Sequence, residues 1–222
     1  MAQIQSGATS DLLTVDPTSK AARVTLYDST GREITPKATG AYSLGFQVRH
    51  TGGAVSGVTV LNMRGPPSLT AYVKRIVGQM GFDGTAAAAN TQRYGFFRGA
   101  GAANASGGGS NVSPSATNGK KRAAYGNWTL NNFTYDLSGT GLTTTSITYE
   151  AQPFAIVTLP LIMGAAASAT APLNPFTVNF AQEGTLDQVF ELGANDHIGI
   201  QVLTTTTIAG VTISGRIEWD ER

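Results

Sequence analysis

The chain has 222 residues, a net charge of +1 and no cysteine. Hydrophobic residues make up 41% of it, near the usual globular share, whereas charged residues make up only 13%, about half of the usual share. This composition argues against intrinsic disorder, and the absence of cysteine excludes disulfides, thiolate nucleophiles and cysteine-ligated metal sites.

Two short strand-like pieces are predicted near the start of the chain. Leu13 and Val15 alternate with polar neighbours, and Val24 and Leu26 repeat this pattern after the turn residues 16–19. An isolated hairpin of this size is marginally stable in water, so we expect the segment to need a surface to bind.

The chain is therefore divided into an N-terminal docking arm, residues 1–40, and a body, residues 41–222. The start of the arm lacks the basic and apolar regions of a secretory signal, and no apolar run reaches the ~20 residues that span a bilayer. We expect no membrane association.

Longer strands are predicted in the first half of the body, over residues 41–49, 55–63, 72–81 and 93–98. The stretch 99–118 consists mostly of Gly, Ala, Ser and Asn, which is typical of a long exposed loop.

The last third of the chain has the clearest strand patterns. Apolar residues alternate with polar ones around Phe176, Val178 and Phe180, and again at Ile198, Ile200 and Val202. In residues 211–220, the pattern places one face in the core (Val211, Ile213, Gly215, Ile217, Trp219) and the other in solvent (Thr212, Ser214, Arg216, Glu218, Asp220). Many short strands separated by turns predict an all-β fold, a sandwich, jelly roll or barrel.

No catalytic constellation is recognisable. His50 and His197 have no second ligand at metal spacing, and residues 193–196 are better interpreted as a tight turn that leads into the strand at Ile198. Nucleophile elbows and phosphate-binding loops are absent, although distant carboxylates could still pair as in glycosidases. We predict a protein that is not an enzyme, with no catalytic residue, metal or cofactor.

One basic cluster, Lys120-Lys121-Arg122, lies near Tyr125 and Trp128, which could stack on bases. The preferred interpretation is a solubilising turn, with Trp128 in the core, and no nucleic-acid partner is expected.

The charges are unevenly distributed along the chain. Residues 1–122 carry 13 Lys and Arg against 5 Asp and Glu, and residues 123–222 carry 2 Lys and Arg against 9 Asp and Glu. These charges either neutralise each other across one surface or mark opposite ends of the protein; the first interpretation is preferred.

Two stretches of the sequence resemble virion proteins of tailed bacteriophages. Residues 3–24, QIQSGATSDLLTVDPTSKAARV, look like a leader found on such proteins with different bodies, which implies a docking arm. Within residues 74–109, the pieces FDGTAAA, RYGFFR and SGGG are similar to β-sandwich phage proteins, including capsid decoration (cement) proteins and head fibres. Those are typically jelly-roll trimers, so the resemblance implies a homotrimer.

The expectation from sequence is thus a β-sandwich, jelly-roll-like capsid decoration protein of the virion with an extended N-terminal arm. The arm would bind the major capsid protein or another virion protein by adding strands to a sheet edge, as extended segments do. Its expected partner-binding residues are Leu12, Leu13, Val15, Arg23, Val24 and Leu26. The alternatives are a tail fibre or baseplate component that recognises host glycans and, less favoured, a capsule-degrading enzyme.

Overall fold

A computed structural model of the chain describes residues 5–6, 11–12, 14–15, 22–23, 40–52, 54–82, 90–107, 111–161, 174–180, 190–205 and 209–222. The chain divides into two compact units, Met1–Lys37 and Ala38–Arg222.

The first unit contains two short antiparallel ribbons. Its strands are β1 (Gln5–Ser6), β2 (Asp11–Leu12), β3 (Thr14–Val15) and β4 (Ala22–Arg23). Strand β1 pairs with β2, and β3 pairs with β4. The second ribbon joins the two pieces predicted on either side of residues 16–19, whereas no pattern in the sequence predicts the first.

The second unit is built from strands, and its described residues contain no helix. The strands are β5 (Gly40–Arg49), β6 (Thr59–Arg64), β7 (Ala71–Phe82), β8 (Asn90–Ala100), β9 (Asn111–Val112), β10 (Asn132–Asp136), β11 (Thr148–Tyr149), β12 (Ala155–Leu161), β13 (Asn174–Asn179), β14 (Phe190–Leu192), β15 (Asp196–Val202) and β16 (Val211–Glu221). The all-β prediction is confirmed.

The strands form two antiparallel sheets. In the first sheet the order is β13-β7-β16-β5, and β14 also pairs with β7. In the second sheet the order is β11-β8-β15-β6-β10-β9, and β12 also pairs with β8. Strands β5 to β8 therefore alternate between the sheets, and after β13 and β14, which both pair with β7, the alternation resumes with β15 and β16. This is the manner of a jelly roll, and the two packed antiparallel sheets confirm the β-sandwich prediction.

Trp219 lies at the centre of the core between the two sheets. Its ring is fully buried and stacks against Tyr42 at 5.4 Å and Phe133 at 6.4 Å between centroids. Trp128 and Leu130 are buried in the same core, as expected from their alternation with polar residues. Such aromatic side chains each bury a large apolar area, so they contribute strongly to the stability of the sandwich.

Two glycines of the first sheet each face a phenylalanine on the neighbouring strand. Gly215 is opposite Phe46, and Gly78 is opposite Phe176. A Cβ atom at Gly78 would clash with the backbone carbonyl oxygen of Ser214. The absence of a side chain thus lets the rings cover the sheet at these points, as aromatic residues do opposite strand glycines.

Two sequence predictions for the body need correction. Glu218 and Asp220 were expected on the solvent face of the last strand but are only 4% and 5% exposed, because basic side chains cover them. The stretch 99–118 is not one long loop, since it contains the end of β8, strand β9 and a bridge between Ser106 and Thr143. Across the described ranges, no helix is long and apolar enough to cross a membrane.

Candidate interaction site

The predicted docking residues fall in the first unit, where three of them belong to described strands. Leu12 in β2 pairs with Gln5, Val15 in β3 pairs with Ala22, and Arg23 in β4 pairs with Thr14. The other three, Leu13, Val24 and Leu26, lie outside the described residues. The described backbone of the first unit, Met1–Lys37, is therefore paired within its own ribbons, and the docking role of the arm stays a prediction.

Glu218 is the centre of an ion-pair cluster on the outer side of the first sheet. Its carboxylate accepts hydrogen bonds from Lys121 Nζ at 2.6 Å, Arg216 Nε at 2.8 Å and Arg75 Nη2 at 3.0 Å. Burial alone would raise the pKa of Glu218, but these three cations outweigh it and lower the pKa to about 2. The carboxylate therefore stays charged and ties three chain segments together.

Two further acids of β16 are bound in the same region. Asp220 forms an ion pair with Lys74 at 2.6 Å. Glu221 accepts hydrogen bonds from the Thr129 backbone N–H and from Trp219 Nε1. Two acids of the C-terminal half, Glu218 and Asp220, thus pair with basic residues of the N-terminal half, and for these two the charges neutralise each other across one surface.

The basic cluster at residues 120–122 is part of the body's own structure. Lys121 binds Glu218, and Lys120 forms a β-bridge with Tyr42 on β5. The Arg122 guanidinium lies 6.0 Å from the centroid of Tyr125. Because Trp128 is only 8% exposed, it is not available to stack on a base. The geometry therefore favours the structural interpretation of this cluster.

His197 is fully buried in a hydrogen-bond network on the outer side of the second sheet. Its Nε2 lies 3.0 Å from the Gly101 carbonyl oxygen, and its Nδ1 lies 3.2 Å from the amide group of Asn62. Asn62 in turn donates to the Tyr149 hydroxyl at 2.8 Å. With the proton on Nε2, the neutral imidazole donates to Gly101 and accepts from Asn62. Burial lowers the pKa of His197, so this neutral form is favoured.

The turn predicted before His197 is confirmed. The Asp196 N–H donates to the Gly193 carbonyl oxygen at 3.0 Å, and the Asp196 carboxylate accepts from the Gly193 N–H at 2.9 Å. Among the side chains that the structure describes, no group of three or more His, Asp or Glu residues could hold a metal ion.

Strand β5 lies at the edge of the first sheet, and other segments cover both ends of this edge. At one end the Ser43 N–H donates to Gly119 at 2.7 Å, and the Lys121 N–H donates to Ala41 at 2.9 Å. At the other end the Arg49 N–H donates to the Leu137 carbonyl oxygen at 2.9 Å. The backbone groups of alternate residues on a strand point to the same side.

The same alternation directs the backbone N–H and C=O groups of Gly45 and Gln47 away from β16, toward this open edge. Neither residue has a hydrogen bond to that side with any part of the chain that the structure describes. Gly45 and Gln47 are both exposed. We call this uncovered stretch, residues 44–48 of β5, the edge window.

A hollow of about 580 Å³ opens beside the edge window, lined by Gly45, Phe46, Gln47, Gln79, Tyr135, Ser214 and Gly215. Gln47, Ser214 and Gln79 form a row across three neighbouring strands, because Ser214 pairs with both glutamines. These three side chains and the Tyr135 hydroxyl make no hydrogen bond within the described ranges. The hollow therefore offers uncharged donors and acceptors that the fold itself does not use.

Sequence reasoning did not predict the edge window or the hollow. The alternation in residues 41–49 predicted the strand but carried no information on which distant segments would cover its edge. Comparison with protein-family models, with curated proteins and with solved structures finds no match in any of the three.

Proposed function

We propose that this chain is a capsid decoration protein of a tailed bacteriophage, a structural protein that acts without catalysis. In this proposal residues 1–37 bind the head shell, through the major capsid protein or another virion protein, and the jelly-roll body stabilises the particle as a homotrimer. The observation that carries the proposal is the resemblance of residues 3–24 to a leader of phage virion proteins.

The division of the chain into two compact units supports this role for the arm. The described strands of the first unit have two residues each, and ribbons of that length are not stable alone in water. The body has a large core of its own. A segment that needs a binding surface, joined to a body with its own core, fits a docking arm. The jelly roll occurs in viral capsid proteins and in lectins, so the fold alone does not decide the function.

The docking role is tested by reconstitution on shells that lack this protein. A variant without residues 1–37 should lose binding to the shell, while its thermal unfolding remains cooperative. A full-length variant with residues 3–24 in scrambled order keeps the length and composition and serves as the matched control for nonspecific contact. It should bind as poorly as the deletion. Binding at the wild-type level by either variant would contradict the docking role.

The homotrimer has its own test, which does not need the shell. Sedimentation or light scattering at assembly concentrations should give three times the mass of the chain. A monomer under these conditions would contradict the trimer and leave the docking role untouched.

The open hollow beside Tyr135 is the observation that favours the second candidate, a tail fibre or baseplate component that recognises host glycans. Uncharged amide and hydroxyl groups beside an aromatic ring can bind sugars. Glycan-array binding that is lost in Tyr135→Ala would support it. Trp128 is not a suitable residue for this test, because it is buried and its replacement would disturb the core.

A further inference from the structure

We propose that the edge window of β5 accepts a short, uncharged, extended segment of a partner protein, which adds a strand beside Gly45 and Gln47. This inference goes beyond the proposed docking role of the arm, because it assigns a binding site to the body and concerns a different partner segment.

The edge window presents backbone groups that could pair with a further strand. Gly45 and Gln47 each direct one N–H and one C=O to the open edge. These four outward groups make no hydrogen bond with any part of the described chain. A partner strand with two residues in register would satisfy all four groups, as in strand addition to a sheet edge. Exposed sheet edges are usually protected by Lys, Pro or a bulge. Residues 44–48, Leu-Gly-Phe-Gln-Val, contain none of these charges or breaks.

The covered ends limit what can enter. Ser43 and Arg49, which bind Gly119 and Leu137, are six residues apart, a distance of about 20 Å in a strand at about 3.3 Å per residue. Only about three to five partner residues fit between them. A second copy could not pair its own β5 here. The segments that cover the two ends of β5 in each copy would collide before the two β5 edges came within hydrogen-bonding distance. The occupant is therefore a thin extended segment and not the edge of another sandwich.

The lining indicates the side chains of this segment. Directly paired residues share a face, so the partner residues opposite Gly45 and Gln47 lie on the outer face, and the residue between them points inward. The absence of a side chain at Gly45 leaves room on the outer face, where a Cβ atom has no contact closer than 3.6 Å. The inward residue would approach Phe46 and the half-buried Tyr135. We expect a small or apolar residue there and uncharged polar residues on either side.

The test uses the full chain and a displayed library of ten-residue peptides. Peptides selected on the wild-type protein should share a short uncharged core with alternating polarity. Their affinity should fall about tenfold or more in Gln47→Pro, which removes the N–H that faces the partner. Proline is tolerated on an edge strand where its missing N–H has no ladder partner.

Gln47→Ala is the matched control, because it removes the same side chain but keeps the N–H. The difference in affinity between Gln47→Ala and Gln47→Pro therefore measures the backbone hydrogen bond, and Gln47→Ala should bind the peptides about tenfold or more tightly than Gln47→Pro. The scrambled-arm variant should bind these peptides normally, so a failure of the docking proposal and a failure of this one are distinguishable.

Amide hydrogen exchange gives a second measurement that needs no variant, which matters if Gln47→Pro does not fold. Exchange at Gly45 and Gln47 should slow when a selected peptide binds. The proposal is overturned if no peptide is selected, if exchange at both amides stays unchanged in the complex, or if folded Gln47→Pro and Gln47→Ala bind equally. Saccharide binding in the hollow that is lost in Gln79→Ala and kept in Gln47→Pro would also overturn it, in favour of a glycan site.

Discussion

Replacing Glu218 by Gln removes one buried negative charge from between three cations. The pKa of this carboxyl is lowered from an ordinary 4.5 to about 2 in the folded chain. At about 1.36 kcal/mol per pH unit, that difference corresponds to roughly 3 kcal/mol. The three basic side chains are 38–54% exposed, so solvent screens part of the interaction. We expect Glu218→Gln to lower the free energy of unfolding at pH 7 by about 1–3 kcal/mol.

The pH dependence of this effect follows from the direction of the shift. A carboxyl whose pKa is lowered by folding stabilises the fold above its unfolded value and loses that contribution as the pH falls from 4.5 toward 2. Urea unfolding at a series of pH values, followed by tryptophan fluorescence, should show the wild type and Glu218→Gln converging near pH 2. Glu150→Gln, the same change at an exposed carboxylate, is the matched control and should have no effect of this size. Equal stability of Glu218→Gln and wild type at pH 7 would refute the reasoning.

Three further predictions concern the core and the buried histidines. Gly78→Ala should lower the unfolding free energy by about 1–3 kcal/mol, because its Cβ would clash with a neighbouring carbonyl oxygen. The control Gly45→Ala should change the unfolding free energy by less than about 0.5 kcal/mol. Equal urea midpoints for the two variants would contradict this prediction. Trp219→Ala should cost about 3–5 kcal/mol, and a shift of the thermal midpoint no larger than that of Gly45→Ala would disprove the central role of the ring. Burial lowers the pKa of both His50 and His197 in the folded chain. As the pH drops below 6.5, the unfolded chain therefore binds protons that the folded chain does not yet bind, and the free energy of unfolding should fall. This slope, measured by urea unfolding between pH 8 and pH 5, should be smaller in His197→Gln; an unchanged slope would count against a neutral His197.

The sequence predicts the strands of the body well where one face is buried. In β16, Val211, Ile213 and Ile217 all point into the core, as their period of two requires. The turn before His197 is also predictable, because Gly, Asn and Asp favour local hydrogen bonds in turns. These features depend on neighbours within a few residues.

Features that depend on distant segments could not be predicted. Glu218 and Asp220 alternate like solvent-facing residues, and only the approach of Lys121, Arg75 and Lys74 from elsewhere in the chain buries them. The pairing of the two-residue strand β9 with β10 has no signal in composition. The edge window is likewise defined by which distant loops cover β5 and which do not.

The position of β16 in its sheet has a consequence for how the chain is made. This strand pairs with β5 on one side and β7 on the other, so it joins two strands that are complete more than a hundred residues earlier. Until residues 211–221 have left the ribosome, the first sheet remains in two parts and the pocket for Trp219 is empty. The nascent body therefore exposes unpaired strand edges for most of its synthesis, which makes it prone to aggregation. Any copy that terminates before residue 211 lacks the middle of this sheet and is not expected to fold.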